Sequence, residues 1–257
     1  MASAVNSWSR RRFEVTDGDA RLRKPDDLGA VLTDAQGAPR RIAKGSTVTL
    51  AEVRVVPTGA DSVATFVHAV DAAGQRLGWT SGNNLGGRLV SETFDAVAPP
   101  PSASRFGANA AWEGGSYLGQ VTLIAIMGAQ AQIRYIAEST AENLLALVAA
   151  ARGDGVMIGI NSGFRTYGRQ KELYDGFKAG RPGFNPANPP GHSNHQNGIA
   201  IDFDVGGGGG NAALAWLQRR ATEFGFLRTV RSENWHWEFR PDRAAAARQR
   251  GAHSTWG

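Results

Sequence analysis

The chain has 257 residues, with 28 Lys and Arg against 23 Asp and Glu for a net charge of +5, and it contains no cysteine. The missing thiol excludes a disulfide-stapled scaffold, a cysteine nucleophile and any cysteine-ligated metal site, so a metal could be held only by carboxylates and the 5 histidines. Apolar residues at 42% and charged residues at 20% supply a packed core and rule out wholesale disorder.

Residues 1–15 (MASAVNSWSRRRFEV) carry positive charge with no apolar stretch behind it, so they do not read as a signal peptide. The most apolar run, residues 121–127, is far short of the roughly 20 residues that cross a bilayer. The expectation is a soluble chain made in the cytoplasm without a recognisable export signal, with no stable membrane insertion. The basic excess suits an anionic partner, either nucleic acid or an acidic polymer. Nucleic acid is set aside, because Arg10 to Arg12 and the scattered arginines near the end form no groove-sized stripe.

In chain order, residues 46–56 (STVTLAEVRVV) are rich in β-branched side chains with partial alternation. Residues 64–70 (ATFVHAV) follow after a Pro57–Gly59 turn, and residues 77–80 form a third short strand closed by Gly82 to Asn84. Short strands between turn residues predict a small β domain over 1–97, a barrel or sandwich. Arg21 to Arg23, the Lys44–Ser46 turn and Gly78 to Thr80 resemble a bacterial SH3-like module, which implies binding to a wall or partner. Three prolines at 99–101 predict a semi-rigid linker over 98–105.

After that seam the pattern turns to mixed helix and strand over 106–242. Ser139 with Glu142 fits a capping box ahead of a helix carrying Leu144, Leu145 and Val148, which stops at Gly153 to Gly155. Residues 156–160 read as a buried strand, 167–179 as a helix, 180–193 as a proline-bearing loop and 199–203 as a strand. Leu214, Leu217, Ala221 and Phe224 mark a third helix. Residues 226–230 and 235–239 are the last strands, and the Ala/Arg-rich segment 243–257 is expected to fray. The pentaglycine 206–210 has no evident role.

Chemistry-bearing side chains fall into two clusters, His192-Ser-Asn-His195 with Asp202, and Glu233 with His236. A catalytic zinc site needs three protein ligands and an open position. His195, Asp202 and His236 supply two neutral imidazoles and one carboxylate for one Zn²⁺, which lowers the pKa of bound water towards about 7. Glu233 is then a spare carboxylate able to move that water's proton. His192, three residues from His195, could compete for the metal, while His68 and His253 read as ordinary structural histidines. Glu238 competes with Glu233 for the role of base, because strict alternation along a strand places residue 238, not 233, on the side of His236.

Three segments in order carry a family resemblance: SGFR at 162–165 with Gln170 following, PGHSNHQNGIAID at 190–202, and ENWH at 233–236. They resemble the zinc D-alanyl-D-alanine peptidases of the VanY/VanX type (peptidase family M15). That group includes phage L-alanyl-D-glutamate endolysins and shares a fold with the hedgehog signalling domain. The resemblance implies an α+β zinc peptidase domain with a central antiparallel sheet, beside the small N-terminal all-β SH3-like domain. It implies zinc on His195, Asp202 and His236, Glu233 as base and acid, and Arg165 against the developing oxyanion. Ser193, Gln170, Ser162 and Trp235 would line the substrate cleft, and the aromatic cluster Trp235, Trp237 and Phe239 is expected to pack around the site and shield it from water.

The expected reaction is hydrolysis of a peptidoglycan stem peptide by a monomer, as a D-alanyl-D-alanine carboxypeptidase. Cleavage inside the stem, as by an endolysin or effector, and a non-catalytic metal-holding module are the alternatives. Glu233 opposes the last, since losing the base is the simplest way to abolish hydrolysis. Action in the periplasm or wall would then need holin release or another export route.

Overall fold

The computed structural model describes residues 13–57, 63–86, 106–127, 132–206 and 212–256. The proline run expected to be a linker and Gly207 to Gly210 lie outside the described residues. Among the described residues, no helix is long and apolar enough to cross a membrane.

The N-terminal part is a five-stranded antiparallel sheet in the order β4-β3-β2-β1-β5, made of β1 (Phe13–Val15), β2 (Thr47–Pro57), β3 (Val63–Val70), β4 (Arg76–Ser81) and β5 (Leu85–Gly86). Its inward side chains, among them Phe13, Val15, Val48, Leu50 and Val67, join one apolar cluster with Ala125, Ile133, Tyr135 and Phe164. The Ile133 amide also donates to Thr65 Oγ1 at 3.2 Å. This sheet therefore shares a core with the part of the chain that carries the SGFR segment. His68 stacks on Trp79 here, with ring centroids 5.1 Å apart.

Two hairpins follow, β6 (Ala110–Glu113) with β7 (Ser116–Gln120), and β8 (Leu123–Met127) with β9 (Ile133–Ala137). Helix α1 (Glu138–Gly153) starts on Ala137 with no side-chain cap, so the expected Ser139 cap is corrected. Backbone carbonyls from other segments serve in its place: Ala137 N donates to Gly198 O and Glu138 N to Thr122 O. With its orphan donors met in this way the helix begins one residue before Ser139.

The site rests on a four-stranded antiparallel sheet in the order β10-β11-β13-β12: β10 (Gly159–Ser162), β11 (Ala200–Asp204), β13 (His236–Phe239) and β12 (Phe226–Arg228). Helix α2 (Tyr167–Lys178) separates β10 from the loop leading to β11, and helix α3 (Ala212–Arg220) continues into a 3-10 turn, Ala221–Phe224. One face of the sheet, with Ile160, Ile201, Phe203, Phe226 and Trp237, packs against Leu144, Leu147, Trp216 and Leu217 of α1 and α3. Alternation sends the neighbouring residues Asp202, His236 and Glu238 to the opposite face.

The segment expected to fray is folded: helix α4 (Pro241–Gln249) opens on a proline, which suits a first helical turn, and buries Ala244 and Ala247. Together with Ala252 these alanines pack on Leu227. Small side chains allow this close approach, and they hide the helix from a search for large apolar residues at helical spacing.

Candidate functional site

Strand register builds half of the site. Ser162 of β10 pairs with Asp202 of β11, and Asp202 pairs with His236 of β13, so three strands present one polar row. Directly opposed residues in adjacent strands place their side chains within reach of each other. His236 Nδ1 lies 3.0 Å from Asp202 Oδ1.

His195 arrives from outside the sheet, on the 3-10 turn Asn194–Asn197. Its Nδ1 donates to Gly163 O at 2.7 Å, and its own carbonyl accepts from Arg165 N at 2.9 Å, so ring and backbone are both tied to the SGFR loop. Nε2 is left facing Asp202 Oδ1 at 3.3 Å. Gly198 closes that turn at φ +77°, where a Cβ would lie 2.8 Å from both the N and Cβ of Ala137. A Gly198→Ala substitution is therefore expected to cost on the order of 2–4 kcal/mol, read from the urea midpoint, because neither the left-handed backbone nor the contact can relax cheaply.

One ligand atom each from His195, Asp202 and His236 all lie within 4.8 Å of one another. The donor chemistry fits a divalent ion of zinc type: two nitrogen donors and one oxygen, with the far side of each imidazole already hydrogen-bonded. For His195 the outer partner is Gly163 O, and for His236 it is Glu238 Oε1, 3.3 Å from Nε2. Burial opposes charge on Asp202, but the two imidazoles outweigh it and hold its carboxyl well below the usual range. Burial, reinforced by Arg165, lowers His195 and keeps it neutral. Burial also works against protonation of His236, yet Asp202 and Glu238 push it up to about 9.

The two glutamates differ in what they do. Glu238 is 3% exposed and accepts from Thr229 Oγ1 at 2.6 Å, Asn194 Nδ2 at 2.9 Å and Arg240 Nε at 3.0 Å. Burial alone would raise its carboxyl, but His236 and these donors keep it an anion. Arg240 is tied in turn to Glu113 at 2.9 Å. Glu233 precedes β13 in a turn, where His236 N donates to Glu233 O at 3.4 Å, and this turn breaks the alternation that would send it to the other face. Its Oε2 reaches to 3.9 Å from His236 Nδ1, with the side chain still 34% exposed.

Arg165 is mostly buried; Nη1 donates to Gln170 Oε1 at 2.9 Å, Nη2 to Ser162 Oγ at 3.3 Å, and Asp202 Oδ2 lies 3.9 Å away. Gln170 is fully buried, and its Nε2 holds Asn188 O at 2.6 Å, so it braces Arg165 from beneath the cleft. The cleft has a volume of about 620 Å³ and is lined by Arg165, Ser193, Trp235 and the donor triad, continuing past Phe177 to Asn185. Trp235 stands 42% exposed at its rim, whereas Trp237 is buried beneath the sheet. His192 is exposed and lies against Gly115, outside the donor cluster. Gly163 and Asn194, inside the motif segments but given no role there, and Asn188, Thr229 and Arg240 outside them, supply the outer hydrogen bonds. Only their places in the folded chain reveal them.

A two-imidazole, one-carboxylate centre flanked by a carboxylate and a guanidinium in an open cleft suits metal-assisted hydrolysis. Residues 133–242 match the family model described as VanY: D-alanyl-D-alanine carboxypeptidase. A D-alanyl-D-alanine carboxypeptidase of Enterococcus faecalis (strain ATCC 700802 / V583) is 33% identical over 116 residues, 35% of this chain and 42% of the relative. YodJ of Bacillus subtilis (strain 168) is 33% identical over 107 residues, 37% of this chain and 39% of that protein. The chain thus spans about two fifths of the length of these curated relatives. Among solved structures, VanYB in complex with D-alanine-D-alanine is 25% identical with a TM-score of 0.43, covering 55% of this chain and 92% of that one. A VanY D,D-pentapeptidase variant in complex with Zn(II) is 28% identical with a TM-score of 0.39, covering 46% and 81%.

Proposed function

We propose that residues 133–242 form a zinc-dependent D-alanyl-D-alanine carboxypeptidase that removes the last residue of a peptidoglycan stem peptide at the cell wall. The observation that carries this reading is the meeting of His195, Asp202 and His236 on one cleft floor, with Glu233 and Arg165 beside them. The family description and the name of the Enterococcus relative supply the substrate class. A zinc ion held by the three donors supplies Lewis acidity to a water and to the scissile carbonyl.

The chain's own residues carry the proton and the charge. Glu233 takes the proton of the attacking water as the new C–O bond forms, then delivers it to the departing amine as the C–N bond breaks. Its half-open carboxylate is suited to this, whereas Glu238 has its oxygens committed to four partners. Arg165 faces the carbonyl oxygen, where a fixed guanidinium stabilises the charge that develops. Ser193 and Trp235 line the path of the peptide, and Ser162 and Gln170 act on it through Arg165. The cleft volume of about 620 Å³ lies inside the range of roughly 300–1,000 Å³ usual for ligand sites and leaves room for a stem as well as its terminal dipeptide.

Mass spectrometry of pentapeptide muropeptides after incubation tests this. Loss of one alanine residue, abolished by a chelator and restored by zinc, is the expected result. Scission inside the stem would replace this reading with an endopeptidase, and intact substrate with zinc bound would leave a binding module.

A further inference from the structure

We propose that Arg228 is a positioning residue for Glu233, and that residues 253–256 seat Arg228 for that task; the inference rests on the reading of Glu233 as the base. Glu233 sits outside any strand ladder. Its turn has two local backbone hydrogen bonds, Glu233 N to Val230 O at 3.2 Å and His236 N to Glu233 O at 3.4 Å, both long. Yet this turn must hold the carboxylate on the side of His236 against the alternation of the strand that follows.

Trp237 Nε1 holds Asn234 O at 3.1 Å and Phe203 N holds Trp235 O at 2.9 Å on the far side of the turn, and Arg228, at the end of β12, holds Glu233 itself. Its Nε donates to Glu233 O at 3.1 Å and its Nη2 to Arg231 O at 2.8 Å. One planar fork thus spans two carbonyls of the turn, a geometry that a lysine cannot reproduce. The arginine is itself gripped from behind. Its amide donates to His253 O at 3.1 Å, its carbonyl accepts from Thr255 N at 3.1 Å, and residue 228 forms a parallel bridge with Ser254. Trp256 places its ring 5.2 Å from the guanidinium carbon, a cation–π contact that fixes the plane of the fork. Segment 253–256 is delivered there by α4 and Ala252, packed on Leu227. The final helix, which plays no part in the proposed chemistry, thereby connects to the base through one side chain.

The test compares Arg228→Ala, Arg228→Lys and Trp256→Ala in the full chain. In metal-free protein, amide hydrogen exchange at His236 and neighbouring turn positions is expected to quicken about 10-fold in Arg228→Ala, and less in the other two, with exchange in the α1 core unchanged. In zinc-loaded enzyme, kcat on a pentapeptide muropeptide is expected to fall about 30-fold in Arg228→Ala with KM and bound zinc within about twofold, Arg228→Lys recovering part of it. Placed on a Glu233→Ala background, Arg228→Ala is expected to lower the residual rate no further. Unchanged exchange at the turn, a loss that persists without Glu233, or a loss that follows zinc content would each overturn the proposal. Should Arg228→Ala fail to fold, the exchange and rates of Arg228→Lys and Trp256→Ala decide it. An inactive wild type would refute the carboxypeptidase reading, while the exchange measurement would still decide whether Arg228 holds the turn.

Discussion

Glu233→Ala is expected to lower kcat on a D-alanyl-D-alanine stem peptide by about 10³-fold, within the 10²–10⁴ range usual for loss of a general acid–base group, while zinc content stays unchanged. The separation of the two readouts follows from geometry. Glu233 stands 3.9 Å from His236 Nδ1 with its side chain 34% exposed, outside the donor triad, so removing it takes away no ligand. Glu238→Ala provides the contrast. That carboxylate touches His236 Nε2 and joins Asn194, Thr229 and Arg240, so its loss leaves buried donors unpaired and is expected to weaken metal retention and stability together. A purified Glu233→Ala protein that kept its rate would remove Glu233 from the role of base; zinc measured by atomic absorption reads the second half of the expectation.

How much of this site could be read in the linear chain depends on how local each contact is. Asp202 within an apolar run and the WHWEF alternation at 235–239 mark two strands with one polar face each, and the structure has β11 and β13 at those places. Pairing register is a different matter. That Asp202 lies opposite His236 depends on strands 34 residues apart, and nothing in either segment specifies the partner. The turn at Glu233 overrides alternation through hydrogen bonds to β12, again a contact between distant parts of the chain.

The misjudged elements share a cause. Ser139 fits a cap pattern, but Thr122 O and Gly198 O satisfy the first amides of α1 before any side chain is needed. The alanines of α4 offer little apolar contrast, yet close packing of Ala244 and Ala247 on Leu227 buries them as completely as larger residues. The domain seam expected near the proline run lies outside the described residues; the described strands before it share apolar contacts with Ala125, Ile133, Tyr135 and Phe164, next to the loop that holds His195. Local signals tell where elements form; tertiary partners decide where they start and what they support.

Arg165→Ala is the second large effect: kcat is expected to fall by about 10²–10³-fold, the usual cost of removing one preorganised oxyanion donor. The preorganisation is visible. Ser162 Oγ and Gln170 Oε1 hold the two Nη atoms, Gln170 is locked by Asn188 O, and the Arg165 amide is fixed to His195 O. Burial draws the guanidinium below its ordinary pKa while Asp202 opposes that shift, and an arginine so placed still carries its charge at every working pH. Arg165→Lys keeps a charge but cannot satisfy Ser162 and Gln170 at once, so it is expected to recover only part of the rate. A phosphinate dipeptide separates Arg165 from Glu233. Its anionic oxygen stands where the carbonyl charge develops, and a mimic of the transition state loses affinity in step with the stabilisation removed. Binding by Arg165→Ala is therefore expected to weaken by about the same factor as kcat, whereas Glu233→Ala, which removes a proton carrier and keeps the guanidinium, is expected to bind the phosphinate nearly as well as the unaltered protein. Equal loss of phosphinate affinity in both variants would show that Arg165 organises the cleft and does not stabilise the oxyanion.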